Sequence, residues 1–132
     1  MPDVMQVEVV SPERVLFSGE AAMVITRTLG GGEIAFMPGH APFLAALTEN
    51  HTRINLDGGT TVHVAVHGGF VEVSNSKVSI LSDVAELADN IDVDRAIAAR
   101  DRAQDVLRRG DDVEAEAALR RADARLAATG RN

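Results

Sequence analysis

The sequence predicts a mainly β, α+β chain, with a β-sandwich or flattened barrel over residues 1–88 and an antiparallel helical hairpin over residues 89–132. Three observations carry that expectation. In TTVHVAVHGGFVEV, Val62, Val64 and Val66 fall on one side of an extended chain while His63, Ala65 and His67 fall on the other. In the last third, apolar residues recur every three or four positions instead. Composition changes at the same place: of 16 Val, 13 precede residue 89, and nine of eleven Gly do too, whereas 11 Ala sit in the last 44 residues.

Taken in order, the strand candidates are QVEVV at 6–10, MVITRT at 23–28, TRINL at 52–56, two strands about a Gly68-Gly69 turn, and KVSIL at 77–81. Ser-Pro, Gly-rich, Asp-Gly-Gly and Ser-Asn-Ser stretches punctuate them. Strands this short and closely spaced leave no room for crossover helices, which argues for a sandwich over a βαβ fold. Asp92 is placed to cap a helix from Val93 to about Arg109, ended by Gly110. Asp111, with Glu114 three residues on, starts a second helix. Val93, Ala96, Ala99, Ala103, Val106 and Ala115, Leu119, Ala122, Leu126 form a narrow apolar stripe on each helix, and the short connection makes the two an antiparallel hairpin. Alanine buries little area, so the hairpin is expected to be weakly held and able to move.

The chain has 132 residues and a formal net charge of −7, split as −6 over residues 1–88 and −1 over residues 89–132. That balance is unsuited to neutralising nucleic-acid phosphates. With no Cys, disulfides and thiolate chemistry are excluded. No apolar run approaches the roughly 20 residues that span a bilayer, and the first residues, MPDVMQVEVV, predict no secretory leader.

A search for catalytic machinery is nearly empty. Gly30-Gly31-Gly32 lacks the Gly-Lys-Ser/Thr of a phosphate-binding loop. His63 and His67 are about 13 Å apart along a strand, too far to share a metal, and read as surface or half-buried strand residues. Arginines stand out: Arg95 and Arg102 lie seven apart on the first helix, and Arg121 and Arg125 four apart on the second. Either they converge on an anion, for which bidentate guanidinium is suited, or each is a solvated side chain paired along its own helix. Glu116 with Arg120 and Asp105 with Arg109 have the spacing for such pairing.

The segments VVSPERVLFSGEA at 9–21, GEIAFMPGHAPFLAAL at 32–47, GGFVEVSNSKVSILSD at 68–83 and NIDVDRAIAARDRAQ at 90–104 together resemble the epsilon subunit of F-type ATP synthases. The resemblance runs through the whole chain in order. It implies a ten-stranded sandwich and a C-terminal hairpin, a non-catalytic central-stalk rotor subunit that needs no cofactor, and binding to the gamma subunit and the loops of the c-ring. Through an extended hairpin it would also meet the alpha and beta catalytic subunits and restrain ATP hydrolysis. Glu33 and His40 match family residues at the sandwich end that meets the c-ring, with Pro38 and Gly39 shaping the turn before His40. Glu86, Asp92, Arg95, Arg102, Arg121 and Arg125 match residues through which some bacterial relatives bind ATP as a regulatory ligand. The implied location is peripheral, on the cytoplasmic face of a bacterial plasma membrane, with the membrane reached only through the complex. A free-standing nucleotide sensor is the alternative from another class.

Overall fold

The computed structural model describes residues 4–131; Met1 to Asp3 and Asn132, at the outer ends of the two expected units, lie outside the described residues. Seven strands are followed by a 3-10 turn and two helices. They are β1 (Met5–Val10), β2 (Val15–Thr28), β3 (Gly32–Phe36), β4 (Phe43–Leu56), β5 (Thr61–Ser74), β6 (Lys77–Leu81) and β7 (Ala85–Leu87), then α1 (Val93–Arg108) and α2 (Val113–Thr129). The sheet runs β1-β6-β5-β4-β2-β3, with β7 on β5, and closes because β1 also pairs with β2. Parallel pairing of β1 with β6 is the exception among antiparallel neighbours.

The sandwich expected from the resemblance is present, but its strands number seven rather than ten. The difference lies in β2, β4 and β5, each 14 residues long. β5 pairs with β7 through Val64–Val66 and with β6 through Phe70–Ser74, so one continuous strand serves two neighbours. Gly68-Gly69, read from sequence as a turn between two strands, instead lets β5 bend without breaking. Both glycines adopt positive φ, 86° and 104°. At Gly69 the backbone passes so close to β6 that a Cβ would meet the Leu81 carbonyl oxygen at 2.0 Å.

The core follows the period-two pattern. Val7, Val9, Val64, Val66, Val71, Val73, Val78 and Ile80 are buried together with Met5, Val24, Phe36 and Ile54. Within it, Thr26, Asn50 and Thr52 form a closed hydrogen-bonded set, with the Thr52 hydroxyl donating to Asn50 Oδ1 at 2.7 Å. Buried polar groups need such partners.

The hairpin follows the 3.6 period. The Asp92 carboxylate accepts from the Arg95 amide and caps α1. α1 ends one residue before the expected Arg109, which is its C-cap. At the second start the cap is Asp112, accepting from the Ala115 amide at 2.9 Å, not Asp111. Asp112 has the extended backbone that a cap requires, φ −153° and ψ 113°. Replacing it with Ala is expected to lower stability by about 1 kcal/mol, read from the denaturant midpoint, because the amides of the first turn lose their acceptor. α1 packs on α2, and α2 carries the main contact with β4 and β5.

Candidate functional site

On β5 the residues His63, Ala65 and His67 share the face over which α2 lies. Ala65 is fully buried and packs with Ile91, Ala124 and Ala128. Alanine on both sides lets helix and sheet backbones approach closely, and it keeps the seat small, as the sequence implied. On either side of this seat sits a polar cluster.

The first cluster is organised by Glu86 on β7. His67 Nε2 donates to Glu86 Oε1 at 3.0 Å, and Arg125 Nε on α2 donates to the same oxygen at 2.6 Å. These donors, His67 first and Arg125 after it, hold the Glu86 carboxyl at a pKa of about 2 even though burial opposes ionisation. The carboxylate is thus a fixed anion tying α2 to the sandwich. Around it is a cavity of about 300 Å³ lined by Glu86, Asn90, Asp92, Arg95, Ala96, Ala99, Arg102 and Arg125. Arg102, Arg125 and Ala99 also line a neighbouring groove of about 520 Å³, which adds Arg121, Ala103, Val106 and Ala115.

Five of the six residues matched to nucleotide binding, Glu86, Asp92, Arg95, Arg102 and Arg125, therefore line one cavity, and Arg121 lines the groove beside it. Arg121 is paired with Glu114 at 2.9 Å. Asp105 holds both Arg108 and Arg109, the second as the spacing predicted. The expected pairing of Glu116 with Arg120 is replaced by a contact across the seat: Arg120 donates to Glu49 on β4 at 3.1 Å. The Arg120 side chain stays half exposed, so this pair contributes little by itself beyond fixing where α2 meets β4.

The second cluster joins β4 to β5. His51 Nε2 and His63 Nδ1 are 2.7 Å apart, so one ring donates to the other, and Arg53 beside them pairs with Glu33 on β3 at 2.7 Å. Burial, followed by the neighbouring His63 and Arg53, lowers the His51 pKa from the ordinary 6.5. The unfolded chain then binds this proton more readily than the folded one, so stability falls as pH drops below about 6.5. Denaturant midpoints at about pH 7.5 and 5.5 should show that loss, and His51→Gln should reduce it.

Glu33 and His40, matched to one docking surface, lie at opposite ends of β3. Glu33 is its second residue, beside the β2–β3 turn, while His40 closes the turn after it, its amide donating to the Met37 carbonyl at 3.1 Å. Gly39 in that turn has φ 88°, and the His40 ring packs edge-on against Phe36.

The residue missed by sequence reasoning is His67. It is not a surface histidine: its side chain is only 3% exposed and it reaches the Glu86 oxygen that Arg125 uses. The signal was Ala65 between two histidines, a small residue on the polar face of a strand, which marks a face covered by a close neighbour.

Models of the ATP synthase delta/epsilon chain match the protein in sequence, the β-sandwich domain over residues 4–88 and the long α-helix domain over residues 89–130. The chain belongs to the ATP synthase delta/epsilon chain family. Among relatives in that family, the ATP synthase epsilon chain of Brevibacillus brevis is 53% identical over 100 residues, 76% of this chain and 75% of the relative. That of Streptomyces griseus is 45% identical over 124 residues, 94% of each. A chain in the Euglena gracilis mitochondrial ATP synthase, OSCP/F1/c-ring, superposes with a TM-score of 0.84 at 21% identity, covering 97% of this chain and 82% of that one, and so shares the fold.

Proposed function

We propose that this protein is a non-catalytic subunit of the central stalk of a bacterial F-type ATP synthase, and that its hairpin senses ATP. The sandwich would bind the gamma subunit and rest on the c-ring loops along the β3 edge, with Glu33 near one end of that strand and His40 beyond the other, coupling rotation to synthesis. It would sit at the cytoplasmic face of the plasma membrane, held there by the complex; among the described residues no helix is long and apolar enough to cross a membrane. Family membership and the shared fold support this reading.

The observation that carries the nucleotide part is the convergence of Arg95, Arg102 and Arg125 with Glu86 and Asp92 on one cavity. Arginine forks match phosphate oxygens, and a carboxylate accepts from an adenine amine or a ribose hydroxyl. Glu86, Asp92, Asn90 and Arg95 lie in the first cavity, while Arg102 and Arg125 extend to the groove, where Arg121 stands beside Asp112 and Glu114. ATP spanning α1, α2 and β7 would favour the docked hairpin by its difference in affinity for the two arrangements. Without it, the hairpin would extend toward the alpha and beta subunits and restrain hydrolysis. The stalk assignment is tested by purifying the chain with its membrane complex. Co-purification with a gamma subunit, and ATP-driven proton pumping that depends on this chain, are expected; a chain found free of the complex would favour a separate nucleotide sensor.

A further inference from the structure

The groove beside the nucleotide cavity brings Arg102, Arg121 and Arg125 together with two acids, Asp112 and Glu114. The two acids are differently engaged. Asp112 caps α2 by accepting from the Ala115 amide. Glu114 is held by a guanidinium of the groove itself: Arg121 Nη2 donates to its Oε1 at 2.9 Å. One of the three arginines that could meet a phosphate is therefore already bound to an oxyanion of the chain. Its position matters too. Arg102 and Arg125 line both the cavity and the groove, whereas Arg121 lines the groove and not the cavity that Glu86 and Asp92 share. A nucleotide with its base beside those two carboxylates has to reach past Arg102 and Arg125 before it touches Arg121, and a longer phosphate chain reaches further.

We propose that Glu114 is a built-in competitor for the terminal phosphate of ATP, occupying Arg121 until a triphosphate displaces it, and so setting both the affinity of the site and its preference for ATP over ADP. This deepens the nucleotide reading above and rests on it. A carboxylate and a phosphate offer a guanidinium the same paired oxygens, so one can take the place of the other. The resident pair is suited to yielding. Its partners are seven residues apart on α2, about 10.5 Å along the axis, so two long side chains must stretch to meet. They remain 34% and 80% exposed, and an exposed pair is worth little to the fold. Its effect on a ligand is larger, because the displaced carboxylate stays on the groove wall and repels the phosphate charge that replaces it. A nucleotide too short to need Arg121 escapes most of that competition.

Glu114→Gln removes the charge, keeps the length of the side chain and leaves the Asp112 cap in place. Glu116→Gln is the matched control, the same loss of charge from an exposed residue of the same first turn that does not line the groove. In calorimetric titrations of the whole chain, E114Q should bind ATP about three- to tenfold more tightly than the wild type, but ADP less than about twofold more tightly. E116Q should stay within about twofold of the wild type for both nucleotides, because a solvated charge outside the groove is screened. Wild-type ATP binding that E114Q leaves unchanged, an equal gain for ADP, or an equal gain from E116Q would overturn the inference and leave the nucleotide site standing. No ATP binding by the wild type or by E114Q would overturn both.

Discussion

Replacing Arg95 and Arg102 together with Ala is expected to abolish measurable ATP binding. Each guanidinium contact to a charged oxygen contributes about 1.5–3 kcal/mol, so losing two weakens binding by at least about a hundredfold. Both side chains line the cavity beside Glu86 and Asp92. The fold should survive, because among the described residues neither is part of a salt bridge, and the Asp92 cap uses only the backbone amide of Arg95. Arg108→Ala with Arg109→Ala is the matched control. Those arginines sit at the C-terminal end of the same helix, are bound to Asp105 and line neither the cavity nor the groove. Calorimetry should give wild-type heats for the control and none for the cavity variant. Equal heats for all three would place the nucleotide elsewhere.

Gly69→Ala carries the largest expected loss of stability. The φ of 104° is strained for any L side chain, and the added Cβ would collide with backbone atoms, the Leu81 oxygen at 2.0 Å and Ser82 Cα at 2.9 Å. Backbone cannot rotate away as a side chain can, so β6 must shift from β5, costing about 3 kcal/mol or more. A fall of about 10 °C in the melting midpoint is expected. Gly68→Ala separates strain from collision: its φ is 86°, but the nearest atom is the Leu47 oxygen at 3.8 Å. Its cost should be nearer 1 kcal/mol. Similar losses from both would mean that close approach to β6 is not what requires glycine.

The same glycine pair marks where sequence and structure part. β1 and β6 were legible because alternation in QVEVV and KVSIL matches a strand with one buried face. Both helices were legible from their caps, and Asp112 displaced Asp111 only because neighbouring acids offer the same chemistry one residue apart. β4 was largely hidden. TRINL gave its last five residues, but LTENH before them shows no alternation, and the burial of Asn50 and Thr52 is tolerable only through the hydrogen bonds they make with each other and with Thr26 on β2. No local pattern reports a partner 24 residues away.

Within the candidate site, the arginines were found by helical spacing, and their meeting with Glu86 followed from the family resemblance. The contacts that seat the hairpin were not legible. Arg120 with Glu49 spans 71 residues, and Arg125 with Glu86 spans 39. Together with the alanine seat they describe a hairpin held by a small apolar contact and two ion pairs, a combination that a ligand of ordinary affinity can outweigh or reinforce.

That docking equilibrium is the centre of the account, and the absence of Cys makes it directly measurable, since two introduced cysteines are the only labelling sites on this chain, which can be labelled before it is returned to the complex. Asp57→Cys in an exposed turn of the sandwich and Gln104→Cys on the exposed face of α1 can carry a donor and acceptor dye in the assembled complex. High energy transfer with saturating ATP, falling when ATP is removed and staying low in the Arg95→Ala, Arg102→Ala background, is the expected result. Energy transfer that ignores ATP in the wild-type complex would contradict an ATP-sensing hairpin.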